Sequence, residues 1–433
     1  MSLRTILAGT AAAVALSWGA SQPANAEEAA TPTVKQLYDI IQKQQHEIEA
    51  LRERLDAQEG RVDETNREVA QARQAVEATA DAVEQRMSAG AGASRTHVGG
   101  YGELHANFLD RSGPGEDLNQ LDFHRFVMFL GHDFNDRTRF YSELELEHAF
   151  SEATEVEVED GLVEEVERTP GELELEQAFV EFDLNDRLTA RGGVFLLPLG
   201  ILNDTHEPPT FYGVERNPVE HDIIPSTWWE GGAGLGGDLG SGFSFDLALT
   251  SGLATDAEHG YEPREGRQKV AEAAFDNPAA TGRLKYTAIP GLELAASVQY
   301  QDDITQGEDP NAGGATLFET HADWRRGPFG LRALYARWDL DGAGPRALGA
   351  DRQDGFYIEP SWRLNEQWGV FTRYNQWDNA AGDALDSEFS QWNLGVNYWP
   401  VPNVVIKADY QSQDTPDGID EFDGINLGVG YMF

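Results

Sequence analysis

The sequence has no cysteine, few basic residues and no long apolar run beyond its first residues. Its 433 residues include 32 Lys and Arg against 75 Asp and Glu, a formal net charge of −43. A chain this acidic is a poor partner for nucleic acid, which binds Lys and Arg. Because a transmembrane helix needs about 18 or more apolar residues, we expect none in the mature chain. The lack of cysteine fits an exported protein that is not stabilised by disulfides.

Residues 1–26 have the pattern of a secretory signal peptide. Arg4 precedes an apolar run over 6–18, and Ala24, Asn25 and Ala26 form a small-residue cleavage site. We therefore exclude this segment from the fold and expect the mature chain to start at Glu27. The alternative, a short membrane anchor, is less favoured because the apolar run is too short to span a bilayer.

Residues 27–87 are predicted to form an α-helical coiled coil, because apolar residues recur at every seventh position from Val34 onward. A single solvated helix is the alternative, although it would leave many aliphatic side chains in water. Residues 88–97, rich in Gly and Ala at their start, are predicted to be a linker. The first position of the repeat is held by Val34, Ile41, Ile48, Leu55, Val62, Val69, Val76 and Val83.

The last third of the sequence alternates apolar and polar residues in segments of about ten, the length of a tilted membrane strand. One such segment places Val404, Ile406, Ala408 and Tyr410 on one face, with Val405, Lys407, Asp409 and Gln411 on the other. The negative mean hydropathy of −0.48 does not argue against a membrane, because half of the residues in such strands face water.

Sixteen segments of this kind follow the linker, and short and long connections alternate between them. The pattern predicts an all-β domain over 98–433, a 16-stranded antiparallel transmembrane β-barrel preceded by the coiled coil. A soluble β-sandwich is the alternative, but it does not require this alternation. The predicted strands are 98–108, 121–134, 138–150, 173–184, 187–197, 228–239, 242–252, 280–289, 292–302, 315–325, 329–339, 354–364, 367–378, 388–399, 403–413 and 424–433.

Aromatic residues near the ends of the predicted strands suggest the girdles found at the two membrane surfaces. They are Trp324, Trp338, Trp362, Trp368, Trp392 and Tyr398. Together with the signal peptide, this pattern predicts the outer membrane of a Gram-negative bacterium. The long loops would face outward, and the short turns and the coiled coil would face the periplasm.

A barrel of sixteen strands encloses an aqueous channel, so its function depends on what narrows the bore. The longest predicted connection, 198–227, contains several prolines, which stiffen a loop by fixing φ. A long, stiff loop is a candidate to fold inward as a constriction. Its prolines are Pro198, Pro208, Pro209, Pro218 and Pro225.

Three segments around this loop carry a resemblance to a known family. They are 193–200 (GVFLLPLG), 215–218 (ERNP) with the nearby Phe211, and 224–232 (IPSTWWEGG). Over about 98–433 the chain resembles outer-membrane porins, most closely the family that includes the phosphate-selective porins. The resemblance implies that the third external loop, here 198–227, enters the barrel and forms the eyelet. It also implies passive diffusion of small hydrophilic solutes or ions.

The acidic loop and the basic wall are the predicted sides of this eyelet, and their opposed charges would order polar solutes in a transverse field. Phosphate-selective members gather anions with basic side chains, and the acidity of this loop departs from that pattern. The predicted acidic side is Asp204, Glu207, Glu215, Glu220 and Asp222. The predicted basic side is Arg125, Arg139, Arg191, Arg216, Arg373 and Lys407. Each could equally be a solvated bore residue or part of an ion pair.

The terminal Tyr431 and Phe433 are predicted to act as an assembly signal. Outer-membrane lipid and lipopolysaccharide are the expected surroundings, and a homotrimer is the expected oligomer. The acid-rich loop 151–172 could bind divalent cations that bridge lipopolysaccharide phosphates, or could simply be solvated. No catalytic motif appears in its required context, so we expect no enzyme, no cofactor and no metal site.

An alternative function follows from the coiled coil. The barrel would then anchor a periplasmic tether that links the outer membrane to peptidoglycan or to a periplasmic partner. The channel and the tether do not exclude each other.

Overall fold

The computed structural model describes residues 95–149, 156–159, 162–166 and 171–433. The predicted signal peptide, the predicted coiled coil and most of the predicted linker therefore lie outside the described residues. Within them, sixteen antiparallel strands close into one barrel, and two short strands form a separate hairpin. Among the described residues, no helix is long and apolar enough to cross a membrane.

The barrel strands follow one another around the wall, each paired with its neighbour in sequence except where the hairpin β4–β5 intervenes between β3 and β6. The strands are β1 (Thr96–Arg111), β2 (Leu118–Asn135), β3 (Thr138–Glu147), β4 (Val156–Glu159), β5 (Leu162–Val166), β6 (Leu173–Asn185), β7 (Leu188–Leu196), β8 (Trp229–Gly240), β9 (Phe243–Thr250), β10 (Ala279–Tyr286), β11 (Leu292–Gln301), β12 (Ala312–Arg326), β13 (Phe329–Gly342), β14 (Arg352–Arg363), β15 (Trp368–Asp378), β16 (Phe389–Val401), β17 (Val404–Asp414) and β18 (Phe422–Met432). One short helix, α1 (Ala343–Ala347), follows β13.

The predicted number and order of strands are confirmed, and strand ends differ by only a few residues. The predicted segment 228–239, for example, is β8. The hairpin β4–β5 was not predicted, because the connection 151–172 was interpreted as a loop. The sequence does contain a signal for it, since Glu and Val alternate over 155–159 and are followed by Asp160 and Gly161, a common hairpin dipeptide.

The first and last strands close the barrel by pairing directly, which leaves no free sheet edge in the wall. Tyr101 is opposite Met432 in this pairing, and Phe108 is opposite Ile425. The last residue extends the ladder: the Phe433 N–H donates to the Gly100 carbonyl at 2.9 Å, and the Gly100 N–H donates to the Phe433 carbonyl at 3.0 Å.

The two faces of the wall are apolar outside and polar inside, as the alternation predicts. In β17, Ile406 is 47% exposed on the outer face, whereas the neighbouring Lys407 is 3% exposed inside. In β18, Ile425 and Leu427 are exposed and Asn426 between them is fully buried. The exposed apolar face is the one that lipid would cover.

Most aromatic residues of the predicted girdles fit an outer position, but Trp338 does not. Trp362, Trp368 and Trp392 are 41% to 55% exposed. Trp338 is 1% exposed and donates from Nε1 to the Ile223 carbonyl inside the barrel. Its prediction as a girdle residue was wrong because a position near a strand end does not reveal which face of the strand the side chain occupies.

The two ends of the barrel differ in the length of their connections. At one end the strands are joined by tight turns, where Gly291 and Gly327 adopt positive φ values of 77° and 58° that glycine tolerates without strain. Long connections join the strands at the other end, including 198–227 between β7 and β8 and 251–278 between β9 and β10. Because β1 starts at Thr96, the chain enters the barrel at the short-turn end.

The apolar core lies inside the barrel, between the wall and the connection 198–227, which we call the inner loop. Leu199, Ile223 and Ile224 of this loop are fully buried in one cluster with wall residues that include Leu317 and Trp338. A transmembrane barrel turns most of its apolar side chains outward, so a core inside it forms only where the bore itself carries apolar residues.

Candidate functional site

The inner loop crosses the bore and is bonded to the opposite wall. Strands β13, β16 and β17 contribute side chains that reach its backbone. The Asp409 carboxylate accepts from the Val214 N–H at 2.7 Å. The other wall contacts are Arg332 to the Thr210 carbonyl at 3.1 Å, Asn397 to the Phe211 carbonyl at 3.1 Å, Trp399 to the Pro209 carbonyl at 3.2 Å and Trp338 to the Ile223 carbonyl at 2.9 Å.

Glu220 holds the inner loop in shape. It lies in a single π-helical turn, Val219–Ile223, and is fully buried. Its carboxylate accepts from the Ile201 and Leu202 N–H groups at 2.8 and 2.6 Å and from the Tyr357 hydroxyl at 2.8 Å. Because all these donors bind one buried carboxylate, Glu220 stabilises the conformation of the loop and does not face the solvent in the bore.

The other predicted acidic residues lie at several places on the loop. Asp204 pairs with Arg283 of β10 at 2.5 Å and with Lys285 at 3.4 Å. Asp222 is bonded to the adjacent His221, and Glu207 is half-buried.

Glu215 lies against β1 and accepts from Asn107 at 3.0 Å; its Oε1 is also 3.0 Å from His105 Nδ1. The five predicted acids therefore do not form one continuous face.

Arg125 and Arg373 are buried in the wall and paired with acids of neighbouring strands. Arg125 Nε lies 2.9 Å from Glu103 and 3.5 Å from Glu145. Arg373 pairs with Glu359 at 3.2 Å and also donates to the Glu215 carbonyl of the inner loop at 3.3 Å.

The remaining basic candidates are separated from one another. The Lys407 ammonium lies 3.4 Å from the centre of the Phe211 ring, and the Arg191 guanidinium lies 4.3 Å from that of Phe195. Arg139 pairs with Glu181 and Asp183 near the short-turn end, both at 2.6 Å.

Arg216 belongs to the inner loop and is half-buried, and its Nε and Nη2 have no hydrogen-bond partner in the part of the chain that the structure describes. This predicted basic residue therefore lies on the same loop as the predicted acids and does not belong to the wall.

Loop 251–278 contributes basic residues that sequence reasoning missed. Arg264 donates to the Ser226 carbonyl at 3.3 Å, and Arg267 donates to the Thr227 carbonyl at 2.9 Å. Burial lowers the pKa of Arg264 to about 10. Arg264, Arg267 and Lys269 are closely spaced in the sequence, and this spacing was the available signal. Only the fold brings them to the C-terminal end of the inner loop.

Two cavities lie at the two ends of the barrel, and both are bordered by the inner loop. The long-loop cavity, of about 310 Å³, is lined by basic, acidic and histidine side chains of β1, β2, the inner loop and loop 251–278. Its charged lining includes Glu103, Arg125, Glu147, Glu172, Glu174, Glu215, Arg216, Arg264, Arg267 and Lys269. The short-turn cavity, of about 760 Å³, reaches the turns at Gly291 and Gly327.

The predicted assembly residues lie on the outer surface at the closing seam. Phe433 is 61% exposed, and its ring lies 6.5 Å from that of Tyr431 and 6.4 Å from that of Phe126. The aromatic pair is accessible at the end of the last strand.

Comparison with known proteins gives a family match and a relative. A model of the Gram-negative porin family matches residues 221–418. An uncharacterised protein of Aquifex aeolicus (strain VF5) is 30% identical over 377 residues, which cover 78% of this chain and 79% of that protein.

Solved structures share the fold at low sequence identity. The anion-selective porin from Comamonas acidovorans superposes with a TM-score of 0.53 at 11% identity, covering 78% of this chain and 99% of that chain. The outer membrane channel DcaP of Acinetobacter baumannii superposes with a TM-score of 0.52 at 13% identity, covering 78% of this chain and 97% of that chain.

The family match and the closed sixteen-stranded barrel support the same conclusion. They favour a channel over an enzyme. Residues 221–418 match the Gram-negative porin family, and the protein is an outer-membrane channel protein.

Proposed function

We propose that the protein forms a water-filled channel for the passive diffusion of small hydrophilic solutes or ions, and that the inner loop is its constriction. The observation that carries this proposal is the series of hydrogen bonds from the inner loop to β13, β16 and β17 across the bore. A loop bonded to the opposite wall reduces the free cross-section of the bore, and the short-turn cavity would be a vestibule on the other side of it.

The long-loop cavity is the proposed narrow passage. Arg125 of the wall, Arg216 of the inner loop and Arg264 of loop 251–278 bring positive charge to it, and Glu103 and Glu215 bring negative charge. Opposed charges across a narrow, partly desolvated gap orient polar solutes more strongly than they would in bulk water. Because both signs are present, we propose a passage for small polar solutes without committing it to phosphate.

Conductance of single channels in a planar bilayer tests the proposal. We expect discrete open-channel steps for the mature protein, and larger steps after deletion of residues 205–217 of the inner loop. Deletion of residues 155–167, which has the same length and removes the β4–β5 hairpin, is the matched control and should leave the steps unchanged. Absence of steps in the wild type would refute a channel, and equal steps in both deletions would refute the constriction.

The homotrimer remains part of the proposal, and it is supported by the resemblance to porins. Native mass spectrometry of the detergent-extracted protein should give three chains per particle. A monomer after extraction in several mild detergents would contradict it.

A periplasmic tether is a second candidate function. It is favoured by the entry of the chain at the short-turn end, the same end at which a porin-like barrel would face the periplasm. Residues 27–87 would then extend towards peptidoglycan or a periplasmic partner. Deleting 34–87 should weaken attachment of the outer membrane while leaving conductance unchanged, and unchanged attachment would remove this candidate.

A further inference from the structure

Three histidines gather on the wall of the long-loop cavity, a region for which the sequence predicted no metal. His105 is on β1, His124 is on β2, and His148 directly follows β3. The His105 and His124 rings are stacked with centres 4.6 Å apart, and the His124 and His148 rings are nearly perpendicular with centres 5.2 Å apart.

Asp122 joins two of these rings. The Nδ1 atoms of His124 and His148 each lie 2.9 Å from the same oxygen, Asp122 Oδ2. One potential ligand atom from each of Asp122, His124 and His148 lies within 4.8 Å of the others. In a tetrahedral site with metal–ligand bonds of 2.0–2.1 Å, ligand atoms are about 3.3 Å apart. The two Nδ1–Oδ2 distances of 2.9 Å therefore need only a small increase to admit an ion.

A β-bulge in β2 presents these residues to the bore. Glu103 pairs with Arg125 and His105 pairs with Asp122, so Phe123 and His124 of β2 together oppose the single residue Leu104. Such a bulge re-aims side chains and is common beside functional sites. Its effect here is that the rings of His105 and His124 stack on the same side of the wall.

The backbone after β3 brings the third residue into place. The His148 N–H donates to the His124 carbonyl at 3.0 Å, which holds the two residues opposite each other across the ladder. His148 adopts a φ of 48°, a conformation that is uncommon for residues other than glycine. The ladder contact and the left-handed backbone together direct its ring towards Asp122.

His105 and Glu215 form a second pair of potential ligands next to the site. His105 is 3% exposed, and its Nδ1 lies 3.0 Å from Glu215 Oε1. Glu215, His105 and His124 also form a set with ligand atoms within 4.8 Å. This buried imidazole and its carboxylate partner are further potential ligands close to the first set.

Two basic groups near the site are paired with carboxylates. Arg125 is engaged by Glu103 and Glu145, and Lys269 across the cavity is engaged by Glu172 and Glu174. The other basic residues of the cavity lining are Arg216, Arg264 and Arg267, and the carboxylates of Glu147 and Glu215 line the same cavity.

We propose that Asp122, His124 and His148 form a binding site for a divalent transition-metal ion such as Zn²⁺, open to the long-loop cavity. Two imidazoles and one carboxylate suit such ions, whereas Ca²⁺ and Mg²⁺ prefer sites made of oxygen ligands alone. The set leaves one tetrahedral position for water or for a passing solute. His124 and His148 line the cavity, so the ion would be reached from the bore.

Calorimetric titration of the mature protein in detergent with ZnCl₂ tests the site without requiring an open channel. We expect saturable binding of about one Zn²⁺ per chain, weakened at least roughly tenfold by His124→Gln and by His148→Gln. The matched control is His259→Gln, because His259 also contacts an aspartate, Asp256 at 2.9 Å, but belongs to none of the ligand sets found among the described residues. This variant should bind like the wild type.

Electron paramagnetic resonance of bound Cu²⁺ provides an independent readout, since coordinated imidazole nitrogens give hyperfine splitting. Retained heat-modifiable migration on a gel shows that each variant has a folded barrel. The proposal is overturned if the wild type shows no saturable binding, if the His124 and His148 variants bind as tightly as His259→Gln, or if Ca²⁺ competes at equal concentration.

The effect of the ion on the current rests on the proposed channel function. If that function holds, micromolar Zn²⁺ on the long-loop side should change the conductance of the wild type and not that of His124→Gln. Binding in detergent without any channel activity would count against the proposed function alone, whereas normal channels without binding would count against the metal site alone.

Discussion

The two sides of the bore wall differ in what they offer the inner loop. Strands β12 to β14 turn Leu317, Trp338 and Tyr357 inward, and these pack in one cluster with Ile223 and Ile224 of the loop. We call this the anchoring side. On the charged side, β1 to β3 and β6 turn acidic, basic and histidine side chains inward, and the long-loop cavity lies there.

Both sides have the same alternation and the same pairing, so the difference lies only in the chemistry of the inward positions. An apolar patch in an otherwise polar bore gives the loop a place to bury its own aliphatic residues. The aliphatic residues of the loop are therefore buried on the anchoring side, and the long-loop cavity lies on the charged side. Under the proposed function, this asymmetry would give one barrel both a rigid constriction and a polar passage.

The largest effect is expected when a side chain of the anchoring side is removed from the apolar cluster. Trp338→Ala removes a large side chain that is 1% exposed and a hydrogen bond to the inner loop. We expect a loss of about 3–5 kcal/mol in unfolding free energy, measured by urea denaturation in lipid vesicles, together with larger and noisier conductance steps. Trp392→Ala is the matched control because Trp392 is 55% exposed on the outer face. Equal losses in the two variants would contradict an anchoring side.

A smaller effect is expected from Glu220→Ala. The substitution leaves the Ile201 and Leu202 N–H groups and the Tyr357 hydroxyl without their acceptor inside the barrel. Buried donors that lose their partner cost about 1–3 kcal/mol, so the loop should loosen while the barrel stays closed. Limited proteolysis should then cleave the inner loop of the variant faster than that of the wild type. Glu207→Ala, which changes a half-buried acid of the same loop, should be cleaved like the wild type.

The substitutions Arg264→Gln and Arg267→Gln test whether the charges of the long-loop cavity control ion selectivity. Each removes one positive charge from the lining of the long-loop cavity. A unit charge about 4 Å from a passing ion is worth about 1 kcal/mol in water, which corresponds to roughly a fivefold change in the permeability of each ion, in opposite directions for cations and anions. The ratio, obtained from the reversal potential in a salt gradient, should rise in both variants. A fall in the ratio would exclude this cavity as the passage.

The smallest effect is expected from Arg139→Gln. Arg139 was predicted as part of the basic wall, but its side chain is 41% exposed near the short-turn end and is neutralised by Glu181 and Asp183. An exposed pair of this kind contributes less than about 1 kcal/mol to stability. The permeability ratio should stay at the wild-type value, and a shift as large as that of Arg264→Gln would place the selective region at the wrong end of the barrel.

Sequence reasoning predicted the barrel well because its rule is local. Every strand repeats the same two-residue alternation, and the turns contain residues suited to tight connections, so each segment could be interpreted by itself. The approximate bounds of the inner loop followed from its length and its prolines. The hairpin β4–β5 was missed because its short strands were attributed to an acidic loop.

The site was harder to predict because its members come from distant parts of the chain. Glu220 and Glu215 belong to the same loop, yet one is bonded to the loop's own backbone and the other lies against His105 of β1. Arg264 and Arg267 reach the inner loop only because loop 251–278 folds back over it. The histidine cluster depends on a bulge, and a bulge shifts the register without leaving a plain mark in the sequence.

The sequence by itself determined that this chain is a sixteen-stranded barrel with an apolar outer face and a polar bore, because alternation and turn chemistry act over a few residues. The tertiary structure alone decided which charges meet inside the bore and which are neutralised by neighbours. Those outcomes depend on how the inner loop packs against one side of the wall, and that packing joins residues far apart in the sequence.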